Sequence, residues 1–157
     1  MARSRANWIT LLGFLALCFA VAGIGGAVTA TSVETWYRTL MKPAFTPPDR
    51  VFGPVWTTLY AMMALAAWLV WRRIGWRDQA LRLFFAQLAL NLAWSILFFG
   101  LHLVGLALVD IVVLLVLIAA TTLAFWRINR WAGLLLVPYL LWVAYATALN
   151  GAIWLMN

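Results

Sequence analysis

The chain has 157 residues, 67% of them hydrophobic and only 10% charged, with a net charge of +7. A soluble domain is about half apolar and about a quarter charged, and one this small still exposes much of its surface. A soluble globular enzyme is therefore excluded, and so is a charge-rich disordered chain; the composition is that of a polytopic membrane protein.

A helix needs about 20 apolar residues to cross the hydrocarbon, and the charges divide the chain into segments of that size. The first predicted span covers residues 6–30. Arg3 and Arg5 ahead of an apolar stretch with Ala20-Val21-Ala22 imitate a secretory leader, and Leu15-Ala16-Leu17-Cys18 imitates a lipoprotein box. The apolar run continues to Ala30, so an uncleaved helix is expected. Cys18 is the single cysteine, so no intrachain disulfide is possible.

Residues 31–47 form the first connection. Thr31-Ser32-Val33-Glu34 reads as a capping box, which predicts a short helix to about Leu40; Lys42-Pro43 ends it. In Thr46-Pro47-Pro48-Asp49 the threonine is expected to cap the second span, with the acid at the positive helix end. The connection reads as an ordered lid carrying Trp36, Arg38 and Lys42, with the two cations available to carboxylates at a pocket mouth.

The second span covers residues 48–71 and places Phe52, Trp56, Tyr60 and Met63 on one face. From residue 83 to residue 126 the only charge is Asp110, a stretch right for two spans: 78–101 and 104–126, turning at Gly100–Gly105 around His102, the only histidine. The third span aligns Gln87, Asn91, Trp94, Ser95 and Phe98; its Ala86, Ala89 and Ala93 make a small-residue face suited to close helix contact and to a homodimer interface. Asp110 falls about 9 Å into the fourth span. An acid there needs a partner, and a hydroxyl, an amide or a backbone group is expected. The fifth span, 131–155, carries Pro138, Tyr139, Trp142, Tyr145, Ala146, Leu149 and Asn150 on one stripe. The fold class is an all-α integral membrane protein: one domain, residues 1–157, a five-transmembrane-helix bundle with a short helix in the first loop. Continuous apolar runs exclude a β-barrel.

The positive charge does not signal nucleic acid, because the cations sit at the membrane edges. Arg3, Arg5, Arg72, Arg73, Arg77, Arg82, Arg127 and Arg130 lie on one side; Arg38, Lys42 and Arg50 lie on the other. This bias predicts a cytoplasmic N-terminus and an external first connection.

Of the 11 tryptophans, Trp8, Trp68, Trp71, Trp76, Trp126, Trp131 and Trp154 fall at span ends, as an interfacial belt requires. Trp36, Trp56, Trp94 and Trp142 do not. Counted from the outer ends of their spans, Trp94, Trp56, Ala146, Asn91 and Trp142 lie about 10–20 Å deep, so three spans converge on one layer. Gly23, Gly25, Gly26 and Ala27 lie near that level on the first span. Aromatic walls with a few amides describe a pocket for a flat aromatic guest; packing and helix-to-helix hydrogen bonding are the plainer uses of the same residues. No nucleophile–base pair, paired carboxylates, phosphate loop or metal-ligand spacing is present in the sequence. Chemistry is left only to photochemistry on a bound pigment, with Trp and Tyr passing electrons.

These segments resemble a known family. Trp36-Tyr37-x-x-Leu40-x-Lys42-Pro43-x-x-x-Pro47-Pro48 is similar to the first-loop motif of the tryptophan-rich sensory proteins, relatives of the mitochondrial translocator protein (TspO/MBR; peripheral benzodiazepine receptor). Val51-Phe52-x-Pro54-Val55-Trp56-Thr57-x-Leu59-Tyr60 resembles the second-helix motif and Gln87-Leu88-x-Leu90-Asn91-x-x-Trp94-Ser95-x-x-Phe98-Phe99 the third. Ala107-Leu108-Val109-Asp110 with Ala119-Ala120-Thr121-Thr122 resembles the fourth; Pro138-Tyr139-Leu140-x-Trp142 with Ala146-Thr147-x-Leu149-Asn150 resembles the fifth.

The resemblance, to bacterial members, implies a homodimeric receptor or carrier in the bacterial cell membrane. Its implied ligands are porphyrins such as protoporphyrin IX and haem-type tetrapyrroles, with sterols and benzodiazepine-type drugs, and its role is sensory or in transport. No cofactor is required; porphyrin enters as ligand. Ligand contacts are expected at Tyr37, Trp56, Tyr60, Asn91, Trp94, Tyr139, Trp142, Ala146 and Asn150, and light-dependent porphyrin breakdown, if it occurs, at Trp56 and Trp142. The fifth-helix cholesterol motif of mitochondrial members is missing, since Leu149-Asn150 is followed by Gly151-Ala152-Ile153-Trp154. Val33, Tyr37 and Lys42 fit only a loose cholesterol pattern.

Overall fold

The computed structural model describes residues 2–157. Five helices are long and apolar enough to cross a membrane: α1 (Ala2–Ala30), α3 (Asp49–Ile74), α4 (Gln79–Ser95) prolonged by a π turn at Ile96–Gly100, α5 (Val104–Ile128) and α6 (Arg130–Met156). The first connection holds one helical turn, α2 (Trp36–Thr39). There is no strand among the described residues. The protein is an all-α, multi-pass integral membrane protein, and its helix ends fall within a few residues of those predicted.

The principal contacts close a ring in the order α1, α3, α6, α5, α4 and back to α1. Helices consecutive in sequence are therefore not all neighbours: α3 and α4 barely touch, whereas α3 packs on α6. At the end away from the first connection the ring is filled solid. Phe14, Met63, Val70, Leu81, Phe84, Phe125 and Leu136 are buried there with Cys18. Phe84 stacks on Phe125 at 6.0 Å and meets Phe14 edge-on at 6.3 Å. Ala64, Ala66 and Ala67 are fully buried on α3; small side chains let helix backbones approach. Of the glycines, Gly133 marks the tightest approach, between α5 and α6: a Cβ there would lie 2.7 Å from Trp126 Cα.

Local polar groups end the helices. Asp78 accepts from Ala80 N at 2.8 Å to cap α4, and Asn129 accepts from Trp131 N at 2.9 Å to cap α6. The predicted caps in the first connection are not made. Thr35 precedes α2 without a side-chain cap bond, its hydroxyl donating back to Ser32 O, and the capping-box residues have other partners. Ser32 Oγ donates to Phe99 O at 2.5 Å, Thr31 Oγ1 donates back to Val28 O at 2.6 Å, and Glu34 pairs with Arg38. Residues 31–35 are turns, and the helical turn stops at Thr39 rather than Leu40. Likewise Thr46 Oγ1 donates to Pro43 O, and α3 starts behind Pro48 with no side-chain cap.

One further expectation changes. Trp68 is no simple belt residue: its indole N–H donates to Asn7 O at 2.8 Å, fastening α3 to α1, while Arg72 lies over its ring at 4.7 Å. The α4–α5 turn falls where predicted, and the residue in it with a positive φ, 57°, is His102. Histidine is among the few non-glycine residues enriched in that region. Here its Nε2 lies 2.9 Å from Ser32 Oγ and its ring stacks on Trp36 at 4.1 Å and 10°.

Candidate functional site

Above the solid half, at the end carrying the first connection, the ring encloses a cavity of about 700 Å³. Small-molecule pockets run from about 300 to 1,000 Å³. The lining comes from α1, α3, α4, α6, the turn ending at Gly100 and the first connection; no residue of α5 takes part.

Each helix presents the face its spacing dictates. From α3 come Phe52, Trp56 and Tyr60; from α6, Trp142, Ala146 and Asn150; from α4, Asn91, Trp94 and Ser95, followed by Phe98. Trp142 is the hub of one aromatic wall, edge-on to Phe52 at 5.9 Å and to Trp56 at 6.5 Å. Trp56 continues to Tyr60 at 5.7 Å. The other wall is Trp94 stacked on Phe98 at 5.2 Å. The α1 side offers only small side chains, with Ala22, Gly25, Gly26, Thr29 and Ala30 in the lining. Gly25 lets α1 approach α4, since a Cβ there would lie 3.4 Å from Ser95 Oγ; a Cβ on Gly26 would meet only open space.

The floor is a directed hydrogen-bond chain. Tyr60 OH donates to Asn91 Oδ1 at 2.8 Å, Asn91 Nδ2 donates to Tyr139 OH at 2.7 Å, and Tyr139 OH donates to Gln87 Oε1 at 2.6 Å. Each tyrosine proton is used once. An amide carries two N–H donors, so Asn91, which lines the cavity, retains one. Higher up, Trp94 Nε1 donates to Asn150 Oδ1 and Asn150 Nδ2 donates to Val104 O, both at 3.0 Å. Trp142 Nε1 is buried with no partner among the described residues.

The roof is tied down from three sides. Ser32 holds Phe99 and His102, as above. Asn157 reaches back to Met41, accepting from its N–H at 3.0 Å and donating to its carbonyl at 2.9 Å. Tyr145 OH donates to Phe45 O. Tyr37 lines the cavity from the roof, with Val33 and Glu34. Burial pushes the Tyr37 phenol up to about 12, with Asp49 and then Tyr145 adding to the effect.

Eight expected contact residues come together on the lining: Tyr37, Trp56, Tyr60, Asn91, Trp94, Trp142, Ala146 and Asn150. Tyr139 does not join them. It is 1% exposed and lies behind Asn91, which it positions. Nor do Trp36, Arg38 and Lys42 line the mouth. Trp36 is spent on His102. Lys42 Nζ donates to Tyr37 O at 2.8 Å and Leu40 O at 3.3 Å, over the Tyr37 ring. Arg38 pairs with Glu34 at 2.5 Å on the exposed side of the turn. The charged residues that do line the cavity are Glu34, Asp49 and Arg50. The reading by sequence passed over the last two, although helical spacing held the signal: Asp49, Phe52, Trp56 and Tyr60 recur at intervals of three and four, as do Arg50, Gly53 and Thr57. Asp110, on α5, is not on the cavity lining, and its Oδ2 is buried without any of the partners expected for it among the described residues.

Residues 14–155 match the sequence model of the TspO/MBR family. The chain is 41% identical to the tryptophan-rich protein TspO of Archaeoglobus fulgidus over 96% of its own length and 99% of that protein's. It is 39% identical to the translocator protein of Homo sapiens, covering 96% and 91%. To the tryptophan-rich sensory protein of Cereibacter sphaeroides it is 42% identical, covering 92% and 89%.

Proposed function

The chain belongs to the TspO/MBR family, and from that premise we propose that it is a membrane receptor or carrier that holds tetrapyrroles in the cavity at its capped end. One observation carries the reading: an apolar space of about 700 Å³ bounded by two aromatic walls, Trp142–Trp56 and Trp94–Phe98. Such walls favour a flat conjugated guest by offset or edge contact. The sparse polar points, Asn91 and the Trp142 N–H, suit the few heteroatoms at the centre of such a guest. Sterols fit the same apolar space less well, since they offer the aromatic walls no π face. The names of two relatives, a translocator and a sensory protein, agree with a role in carrying or sensing the ligand.

The test is quenching of tryptophan fluorescence in purified protein by added protoporphyrin IX. Saturable quenching supports the reading; quenching no stronger than in empty detergent micelles rejects it. A second reading, light-driven breakdown of the pigment, draws on the aromatic series Trp142, Trp56 and Tyr60, whose centroids lie 6.5 and 5.7 Å apart. Illumination of the same samples separates the two, because a photoproduct that forms only with protein present favours the enzyme. The reading also includes a homodimer through Ala86, Ala89 and Ala93 on α4, of which Ala86 and Ala89 are exposed in the single chain.

A further inference from the structure

The cations on the first connection are already committed. Arg38 is bound to Glu34, and Lys42 gives two hydrogen bonds to backbone carbonyls while facing the Tyr37 ring. Moving Lys42 to a ligand would break its bonds to the Tyr37 and Leu40 carbonyls, and moving Arg38 would break its exposed ion pair with Glu34. Arg50 is different. It stands in the first turn of α3, lines the cavity, and has no acid within ion-pair distance among the described residues. Among the described residues it is the only Lys or Arg on the lining, and it lies at the mouth next to Phe52 and Gly53, at the end of the wall that holds Trp56 and Trp142. Glu34 and Asp49 occupy the same rim. A second ligand carboxylate would meet no further free cation there, only these two acids.

We infer that Arg50 is the anion anchor of the cavity, and that the site reads a single carboxylate on the edge of an otherwise apolar planar guest. The inference rests on the tetrapyrrole reading and specifies how such a ligand sits. One propionate meets the Arg50 guanidinium, whose planar fork matches a carboxylate. The other is turned outward to solvent, away from Asp49 and Glu34. The opposite, apolar edge points down between Trp94 and Trp142. The ligand is therefore held asymmetrically, and one of its two acids contributes nothing to affinity.

Esterification separates these demands. In detergent at pH 8 and low salt, protoporphyrin IX, its monomethyl ester and its dimethyl ester are titrated against the full-length chain by fluorescence quenching. The diacid and monoester should bind within about twofold of each other, and the dimethyl ester about fivefold more weakly, the scale of one charge-assisted pair at a partly wet rim. Arg50→Gln should lower the two acids to the affinity of the dimethyl ester and leave the dimethyl ester unchanged. Arg50→Lys should keep part of the gap, and Asp49→Asn should tighten the two acids but not the dimethyl ester. A diacid several-fold tighter than the monoester would show that two carboxylates are read, which overturns the inference. So would an Arg50→Gln protein that binds all three as the wild type does, or that loses all three equally. In those cases saturable binding by the wild type leaves the tetrapyrrole reading standing. If no form binds the wild type, both readings fall.

Discussion

Trp142 and Trp131 are the same residue type on the same helix, yet only one can touch a guest. Trp131 is 70% exposed in the first turn of α6, where a belt tryptophan belongs. Trp142 stands three turns further on, against Phe52 and Trp56. Trp142→Ala should weaken porphyrin binding by about 1–3 kcal/mol, the combined scale of a lost aromatic contact and its buried area. Trp131→Ala should leave affinity unchanged in the same titration, and equal losses would show that Trp142 is generic packing. Trp68 is unfit as the control because its indole ties α3 to Asn7. Position along the span predicted the Trp131 environment correctly but not that of Trp68, since a hydrogen bond to a backbone carbonyl on another helix leaves no trace in hydropathy.

Among the elements, the α5–α6 hairpin and the first connection behave oppositely. The hairpin depends on one missing side chain. At Gly133 even a methyl group would lie 2.7 Å from both Cα and Cβ of Trp126, and backbone cannot rotate away. Gly133→Ala should destabilise the protein by about 1–3 kcal/mol, the usual cost of overpacking, read as a lower unfolding midpoint in detergent. Gly13→Ala, on α1 where a Cβ meets nothing within 4 Å, should not lower it. At the C-terminal side the first connection is held by two single side chains, Tyr145 of α6 and Asn157 just past its end. Removing these with Tyr145→Phe and Asn157→Ala should raise the porphyrin off-rate in stopped-flow release and change the on-rate less, since related complexes differ mainly in dissociation. Release that ignores both changes but slows when Gly26→Leu narrows the α1 side would place the exit between helices instead. The location and ordered character of this connection were legible from its prolines and aromatics. Its caps were not, because Ser32 bonds to Phe99 and His102 across the bundle rather than to its own next turn.

At the scale of the whole molecule, the bundle is solid at one end and hollow at the other, and α4 presents Ala86 and Ala89 outward. Without a hydrophobic drive between helices in lipid, association relies on close backbone packing. Ala89→Trp should therefore shift the detergent-solubilised particle toward monomer by light scattering, and an undisturbed dimer would move the interface to another face. What the amino-acid sequence determined alone was the membrane class, the number and ends of the spans, the family, and the aromatic stripes of α3, α4 and α6. These follow from hydrocarbon thickness, helical periodicity and motif order, all of which act within a segment. Only the tertiary structure decided the ring order that sets α3 against α6. It placed Tyr139 behind Asn91 rather than in the wall, and it paired Arg38 with Glu34 and tied Lys42 to backbone carbonyls of the roof while leaving Arg50 at the mouth. Each of those outcomes depends on which polar group finds which partner once the helices meet, and a chain read one segment at a time does not contain that pairing.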